Sequence, residues 1–352
     1  MSERKNNTVI IITSDAHLGS LDPQSKLFKE FLERINSGLY GDLKALIILG
    51  DFLDLCFKNW NYFADHFKKI FELLENIYKN ENIHLLFTLG NHEIPVTVNP
   101  LTGKYYESFE NCKKYFLSKL RNSGFNYNFI NEDNVFQYFI LQKKKNSVPK
   151  LLFCDYIDQI NHYYLGEIVF DEIHLEDGFT CLMTHGYQFD GSTLRYFVAH
   201  IWKALIDSND EEIKEKMNRI WNTGIKNNKF SKVKFKDLLV KDFSLKNFLK
   251  KDFSLKKIEF DLIKYVKKWE KALRKAKNYD SQVKKFLENK DYDFSNITHV
   301  IFGHSHVKQN IKKLINFKEV SIINDGAWLR ISTPSFVEIR SNGDVELLDF
   351  EG

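Results

Sequence analysis

Short apolar runs that stop at a glycine or a polar cluster recur along this chain and set its expected architecture. Val9-Ile10-Ile11-Ile12-Thr13, Leu46-Ile47-Ile48-Leu49 and His84-Leu85-Leu86-Phe87-Thr88-Leu89 show no polar alternation, the pattern of strands buried on both faces. Between the first two, residues 26–35 place Leu27, Phe28, Phe31, Leu32 and Ile35 on one helical face. Between the second and third, residues 61–78 do the same with Phe63, Phe67, Ile70, Phe71, Leu74 and Ile77. This β-α-β-α-β rhythm predicts right-handed crossovers and an α/β core whose functional groups collect at the C-terminal edge of a sheet.

The pattern changes over residues 125–184. Shorter apolar or alternating runs at 135–141, 151–154, 167–170 and 180–183 predict strands of a second sheet. The tail adds strands at 299–302 and 320–323, and a hairpin of 335–339 with 345–348 through Asn342-Gly343-Asp344. Residues 193–292 are different again, being helical in pattern, Lys-rich and free of proline. They carry 26 Lys/Arg against 14 Asp/Glu, a net of +12; the rest keeps 25 of the 51 and 33 of the 47, a net of −8. We therefore expect a discontinuous core, 1–192 and 293–352, and a basic helical insertion at 193–292 acting as a lid or partner-binding domain. Its stripe of Leu194, Phe197, Val198, Ile201, Trp202, Leu205 and Ile206 suits packing over a site or a lipid face. Lys-Asp-Phe-Ser-Leu-Lys occurs at 241–246 and again at 251–256, a local duplication too short for a solenoid.

Composition narrows the classes. A chain of 352 residues, 43% hydrophobic, can bury a large core. The four cysteines (Cys56, Cys112, Cys154, Cys181) lie far apart, as core thiols of a reducing compartment do, and not as a disulfide frame or zinc knuckle. The first apolar run is short and leads straight into Asp15, so it reads as a strand and not a signal peptide. No stretch approaches the roughly 20 apolar residues of a membrane span. The expectation is a cytoplasmic protein.

The chemistry sits at the strand ends. Ser14-Asp15-Ala16-His17, Gly50-Asp51-Phe52-Leu53-Asp54, Gly90-Asn91-His92-Glu93, His185-Gly186 and Gly303-His304-Ser305-His306 each follow an apolar run directly. Taken singly, each has a plain structural use: Asp51 and Asp54 as helix caps, Asn91 as a left-handed turn residue, a lone histidine as a hydrogen-bonded core group. Five such junctions together point instead to metal, because a carboxylate at a buried strand end needs a partner. The mixed oxygen and nitrogen donors suffice for two ions sharing a carboxylate, and suit Mn²⁺, Fe or Zn²⁺ better than Ca²⁺.

These five ordered blocks resemble those of the calcineurin-like metallophosphoesterases, over residues 9–93, 182–189 and 298–328, with Asn324-Asp325-Gly326 similar to their closing strand-turn. The resemblance implies an α/β fold, a two-sheet αββα metallophosphoesterase sandwich, here with a large helical insertion. It also implies two divalent metal ions. Asp15, His17, Asp51 and His306 would hold one, and Asp51, Asn91, His185 and His304 the other. His92 would be general acid or transition-state stabiliser, and Asp54 would orient His17 or a loop amide.

Within that superfamily the motifs lean one way. His185-Gly186-Tyr187-Gln188-Phe189-Asp190-Gly191 and Asn324-Asp325-Gly326-Ala327-Trp328 are similar in style to the UDP-2,3-diacylglucosamine pyrophosphohydrolases and their relatives, though Tyr187 replaces an Asp and the insertion is longer than their lid. A phosphodiesterase or pyrophosphohydrolase acting on a phosphorylated small-molecule or lipid-linked substrate is thus expected. The alternative is a nuclease of the double-strand-break-repair type, with nucleic acid held by the basic insert. A phosphoprotein phosphatase ranks lower, because Asp54-Leu55-Cys56 lacks that group's phosphate-clamping Arg. A non-catalytic scaffold ranks lower too, since every ligand position is filled.

Overall fold

The computed structural model describes residues 8–20, 23–55, 58–93, 109–157, 162–189, 279–288, 295–330 and 332–352. Two mixed sheets stack face to face with helices outside them. The first sheet runs through β1 (Thr8–Thr13), β2 (Ala45–Leu49), β3 (His84–Thr88) and β4 (Val135–Phe136) in parallel, with β12 (Ser335–Arg340) antiparallel to β1 and β13 (Val345–Asp349) antiparallel to β12. The second contains β5 (Tyr138–Gln142), β6 (Lys150–Ile157), β7 (His162–Val169), β8 (Thr180–Thr184), β9 (His299–Phe302), β10 (Gln309–Ile315) and β11 (Lys318–Asn324), in the order β10-β11-β9-β8-β5-β6-β7. Strands β8, β9 and β11 are mutually parallel, so their C-terminal ends share one edge.

Period-two side-chain alternation explains the layering. In β1 and β2, Ile11, Leu46 and Ile48 face a core shared with helices α1 (Ser25–Asn36), α3 (Lys68–Lys79) and α4 (Phe109–Asn122). Ile10, Ile12, Ala45, Ile47 and Leu49 point the other way and meet Phe139, Leu141, Met183 and Ile301 of the second sheet. On the far side of that sheet, Tyr138, Ile140, Leu182, Val300 and Phe302 pack on helix α5 (Tyr279–Leu287). Both faces of each central strand are covered, which is why their sequences lack polar alternation. Helix α1 buries Phe28, Phe31, Leu32 and Ile35 as its stripe predicts; truncating Phe28, which also packs on Trp328, would cost about 3–5 kcal/mol.

Several expectations need correction. The run 135–141 is two strands in two sheets. The chain steps across at Gln137, whose N–H donates to Cys154 O (3.0 Å), so Val135 pairs with β3 while Tyr138 opens the second sheet. The helix expected over 61–78 is two, α2 (Trp60–His66) and α3, parted at Phe67 (φ −118°, ψ 20°). There Phe67 N–H still donates to Phe63 O (3.0 Å), while the His66 ring stacks on Tyr62 with Nδ1 3.0 Å from the Tyr62 carbonyl. Helix α4 and strand β10 were not foreseen. The Asn342-Gly343 hairpin forms, with Gly343 at φ 88°. Cys112, Cys154 and Cys181 are buried, and Cys56 lies outside the described residues. Of residues 193–292 only α5, Glu288 at its end and no more are described; the apolar stripe at 194–206 and the 241–256 repeat lie outside.

Candidate metal centre

Six parallel strand ends meet at one edge: β1, β2 and β3 from the first sheet, β8, β9 and β11 from the second. Backbone hydrogen bonds lock the loops that leave them. Asp15 N–H donates to Gly50 O (3.0 Å), His17 N–H to Asp51 O (2.8 Å), Gly303 N–H to His185 O (2.9 Å) and Trp328 N–H to Asp15 O (3.0 Å). Asp15, His17, Asp51, His304 and His306 all adopt positive φ, between 46° and 66°. Non-glycine residues seldom hold that conformation, and here it turns five side chains inward. Glycine is required beside them: a Cβ on Gly303 would collide with Ser14 Oγ and Asp15 Oδ2.

The sequence-predicted residues come together as two groups. Asp15, His17, Asp51 and His306 place one donor atom each within 4.8 Å of one another, as do Asp51, His185 and His304. Asp51 belongs to both. Asn91 joins the second group, its Oδ1 lying 3.2 Å from His185 Nε2. Asp51 Oδ2 lies 3.2 Å from His185 Nε2 and 3.8 Å from both His17 Nε2 and His92 Nε2. His92 is buried beside the groups, its N–H donating to Asp51 Oδ1 (2.9 Å).

A cation fits this arrangement. His185 Nδ1 lies 2.7 Å from the Leu49 carbonyl, which fixes that nitrogen as the donor and leaves the Nε2 lone pair facing the group. His17 Nδ1 is held by Asp54 Oδ1 (3.0 Å) in the same way, so its Nε2 faces inward, 2.8 Å from His306 Nε2. Two imidazole nitrogens at that separation need a proton or a cation between them. Asp15 Oδ1 is buried without a hydrogen-bond partner, a vacancy in its bonding that a cation would fill.

The electrostatics agree. Burial alone would raise Asp15, but the close imidazoles of His17 and His306 and the charge of His185 hold it well below the carboxylate range. Burial likewise opposes the His185 and His92 charges on Asp51, and the charges win, keeping Asp51 low. For His17 burial works downward, yet Asp54, Asp15 and Asp51 lift it well above its ordinary value; against the same burial, Asp51 lifts His185 to about 9. At His17 and His185 the carboxylates outweigh burial and favour positive charge, whereas burial, with the His17 charge adding, lowers His306 despite its contact with Asp15.

Two residues support the groups, Asp54 as expected for His17 and Glu93 beyond the expected set. Asp54 Oδ1 bonds both His17 Nδ1 and His92 Nδ1, so one carboxylate oxygen orients two histidines. Glu93, read from sequence only as part of its motif, accepts the N–H groups of Asp51 (2.9 Å), Gly90 (2.7 Å) and Leu53 (2.8 Å), and so fixes the backbone that carries Asp51. Burial and the Asp51 charge push Glu93 to about 8, against those donors.

The model of the calcineurin-like phosphoesterase family matches residues 8–308. Among solved structures, the chain is similar to a dimetal phosphatase from Danio rerio, at 11% identity over 98% of this chain and 100% of that one, with a TM-score of 0.38. It is also similar to the phosphopantetheinyl hydrolase of Mycobacterium tuberculosis, at 11% identity over 92% and 91%, with a TM-score of 0.28. No curated protein sequence matches.

Proposed function

The chain belongs to the calcineurin-like phosphoesterase family, and from that premise we propose that it hydrolyses a phosphodiester or pyrophosphate bond at a centre of two divalent ions, Mn²⁺ first among them, with Fe or Zn²⁺ accepted by the same donors. In this reading Asp15, His17, Asp51 and His306 hold one ion, and Asp51, Asn91, His185 and His304 hold the other. The observation that carries it is the sharing of Asp51 by two adjoining donor groups. Ions bound there supply charge to the phosphoryl oxygens and acidify a water toward neutral pH.

The chain's own residues do the rest. Asp51 fixes the spacing of the two positions, itself held by the Glu93 carboxylate through its backbone. His92 gives the proton that the leaving oxygen needs from Nε2, while Asp54 holds its Nδ1 and so sets the ring's orientation. Such a donor contributes typically 10²–10⁴-fold to rate. The substrate, in this proposal, is a phosphorylated small molecule or lipid-linked phosphoester, as the His185 and Asn324 motifs suggest, with residues 193–292 inserted into the core of 1–192 and 293–352 as a lid or partner-binding domain whose helix α5 packs on the second sheet. Among the described residues no helix is long and apolar enough to cross a membrane.

A nuclease is the second reading, favoured by the +12 balance of residues 193–292. Metal-stripped protein re-supplied with Mn²⁺ should turn over a chromogenic diester in preference to the matching monoester. Monoester preference would contradict the bond assignment. Tight DNA binding that falls steeply with salt would move the substrate to nucleic acid.

A further inference from the structure

Asp325 sits just past β11, and the turn there does not need its side chain. Its N–H donates to Phe302 O (3.0 Å), its carbonyl accepts the Ser335 hydroxyl, and the next residues close on Asn324 Oδ1, which accepts Gly326 N–H (2.9 Å). The carboxyl is nonetheless buried, 1% exposed. Oδ1 meets Ser14 Oγ at 2.6 Å, and Oδ2 has no hydrogen-bond partner. An ionised group left that way would cost several kcal/mol, whereas a neutral acid leaves only one carbonyl oxygen unmet.

Counting protons leads to the same place. Ser14 Oγ also contacts Asp15 Oδ2, so one hydroxyl lies between two carboxyl oxygens. A hydroxyl has a single proton and cannot donate to both. A second proton must therefore reside on one of the carboxyls. Asp15 is the ionised one: it faces His17 and His306 and accepts His304 N–H at 2.8 Å. Burial, and then the Asp15 charge, hold Asp325 well above the carboxylate range despite the Ser14 contact.

We propose that Asp325 is a neutral carboxylic acid whose Oδ1–H donates to Ser14 Oγ, so that Ser14 directs its own proton onto Asp15 Oδ2. Asp325 is then a positioning residue for the ion held by Asp15, His17 and His306, an inference that rests on the dimetal reading of those residues. Asn at 325 can reproduce the donation through its amide, and an apolar side chain cannot.

The test uses the full chain, by infrared difference spectroscopy between wild type and Asp325→Asn and by Mn²⁺ titration. Wild type should show a carboxylic C=O band that shifts in D₂O, persists when Mn²⁺ is added and is absent from Asp325→Asn. Asp325→Asn should bind Mn²⁺ within about threefold of wild type, while Asp325→Val and Ser14→Ala each weaken one ion by about 10-fold or more, and together no further. Should Asp325→Val fail to fold, the band and the Asn variant still decide. A missing band in protein that binds two Mn²⁺ overturns the acid alone, as does an Asn variant that loses Mn²⁺ about tenfold. Wild type that shows the band but binds no Mn²⁺ overturns the dimetal reading, and with it the role of Asp325 toward the ion.

Discussion

The two halves of the centre are braced in different ways. Around Asp15, His17 and His306 the supports are side chains: Asp54 on His17, and the neighbouring Ser14, backed by the distant Asp325, on Asp15. Around His185 and His304 the supports are backbone and packing. Leu49 O takes His185 Nδ1, and Tyr279 of α5 donates to Gly186 O (3.2 Å), stacks on Phe302 and meets the His304 ring edge-on. The first half is therefore vulnerable to point substitution in the core. The second depends on the position of α5, the one helix described within residues 193–292.

Asp54→Leu attacks the first bracing most severely. It frees His17 and His92 together and removes a buried carboxylate, so turnover should fall by about 10²–10⁴-fold and affinity for one ion by about 10–100-fold. A variant that lost turnover but bound both ions as wild type would show that Asp54 serves His92 alone. Tyr279→Phe tests the other bracing more gently. Loss of one hydrogen bond is worth about 1 kcal/mol, so the second ion should weaken by about fivefold while the first is unmoved. Equal weakening of both would remove the distinction between the halves.

Much of this centre is legible locally, because each block is an apolar run followed directly by its donors, as Leu49-Gly50-Asp51 and Phe302-Gly303-His304 show. The bracing is not local. Ser14 and Asp325 lie 311 positions apart, and Glu93 reaches back 42 positions to the Asp51 amide. Only folding shows that these meet. The split of 135–141 was hidden for another reason: Val135, Phe136, Phe139 and Leu141 are all buried, and a doubly covered run looks alike in either sheet. Strand β10 was missed because it is an edge whose Lys312 and Lys313 face solvent, one paired with Glu319 and the other with Asp280. Residues 193–292 matched no strand pattern, and their helical expectation is described only at α5.

A separate effect, on stability alone, lies at the opposite end of β9, away from the candidate centre. Burial, with Lys312 adding, depresses His299 from 6.5 to about 4. The unfolded chain then takes up a proton before the folded one does. His299 therefore costs no stability above pH 6.5, lowers it progressively as pH falls from 6.5 toward 4, and adds no further loss below that. His299→Gln should flatten this part of the pH-stability curve relative to wild type. Parallel curves for the two proteins would show that His299 protonates alike in both states.

The sharing of Asp51 is tested most directly by electron paramagnetic resonance of Mn²⁺-loaded protein during a metal titration, beside Asp51→Asn. The account predicts two Mn²⁺ per wild-type chain with an exchange-coupled signal, and loss of that coupling in the variant along with at least one ion. Two uncoupled ions, a single ion per chain, or coupling that survives Asp51→Asn would contradict a centre bridged by Asp51.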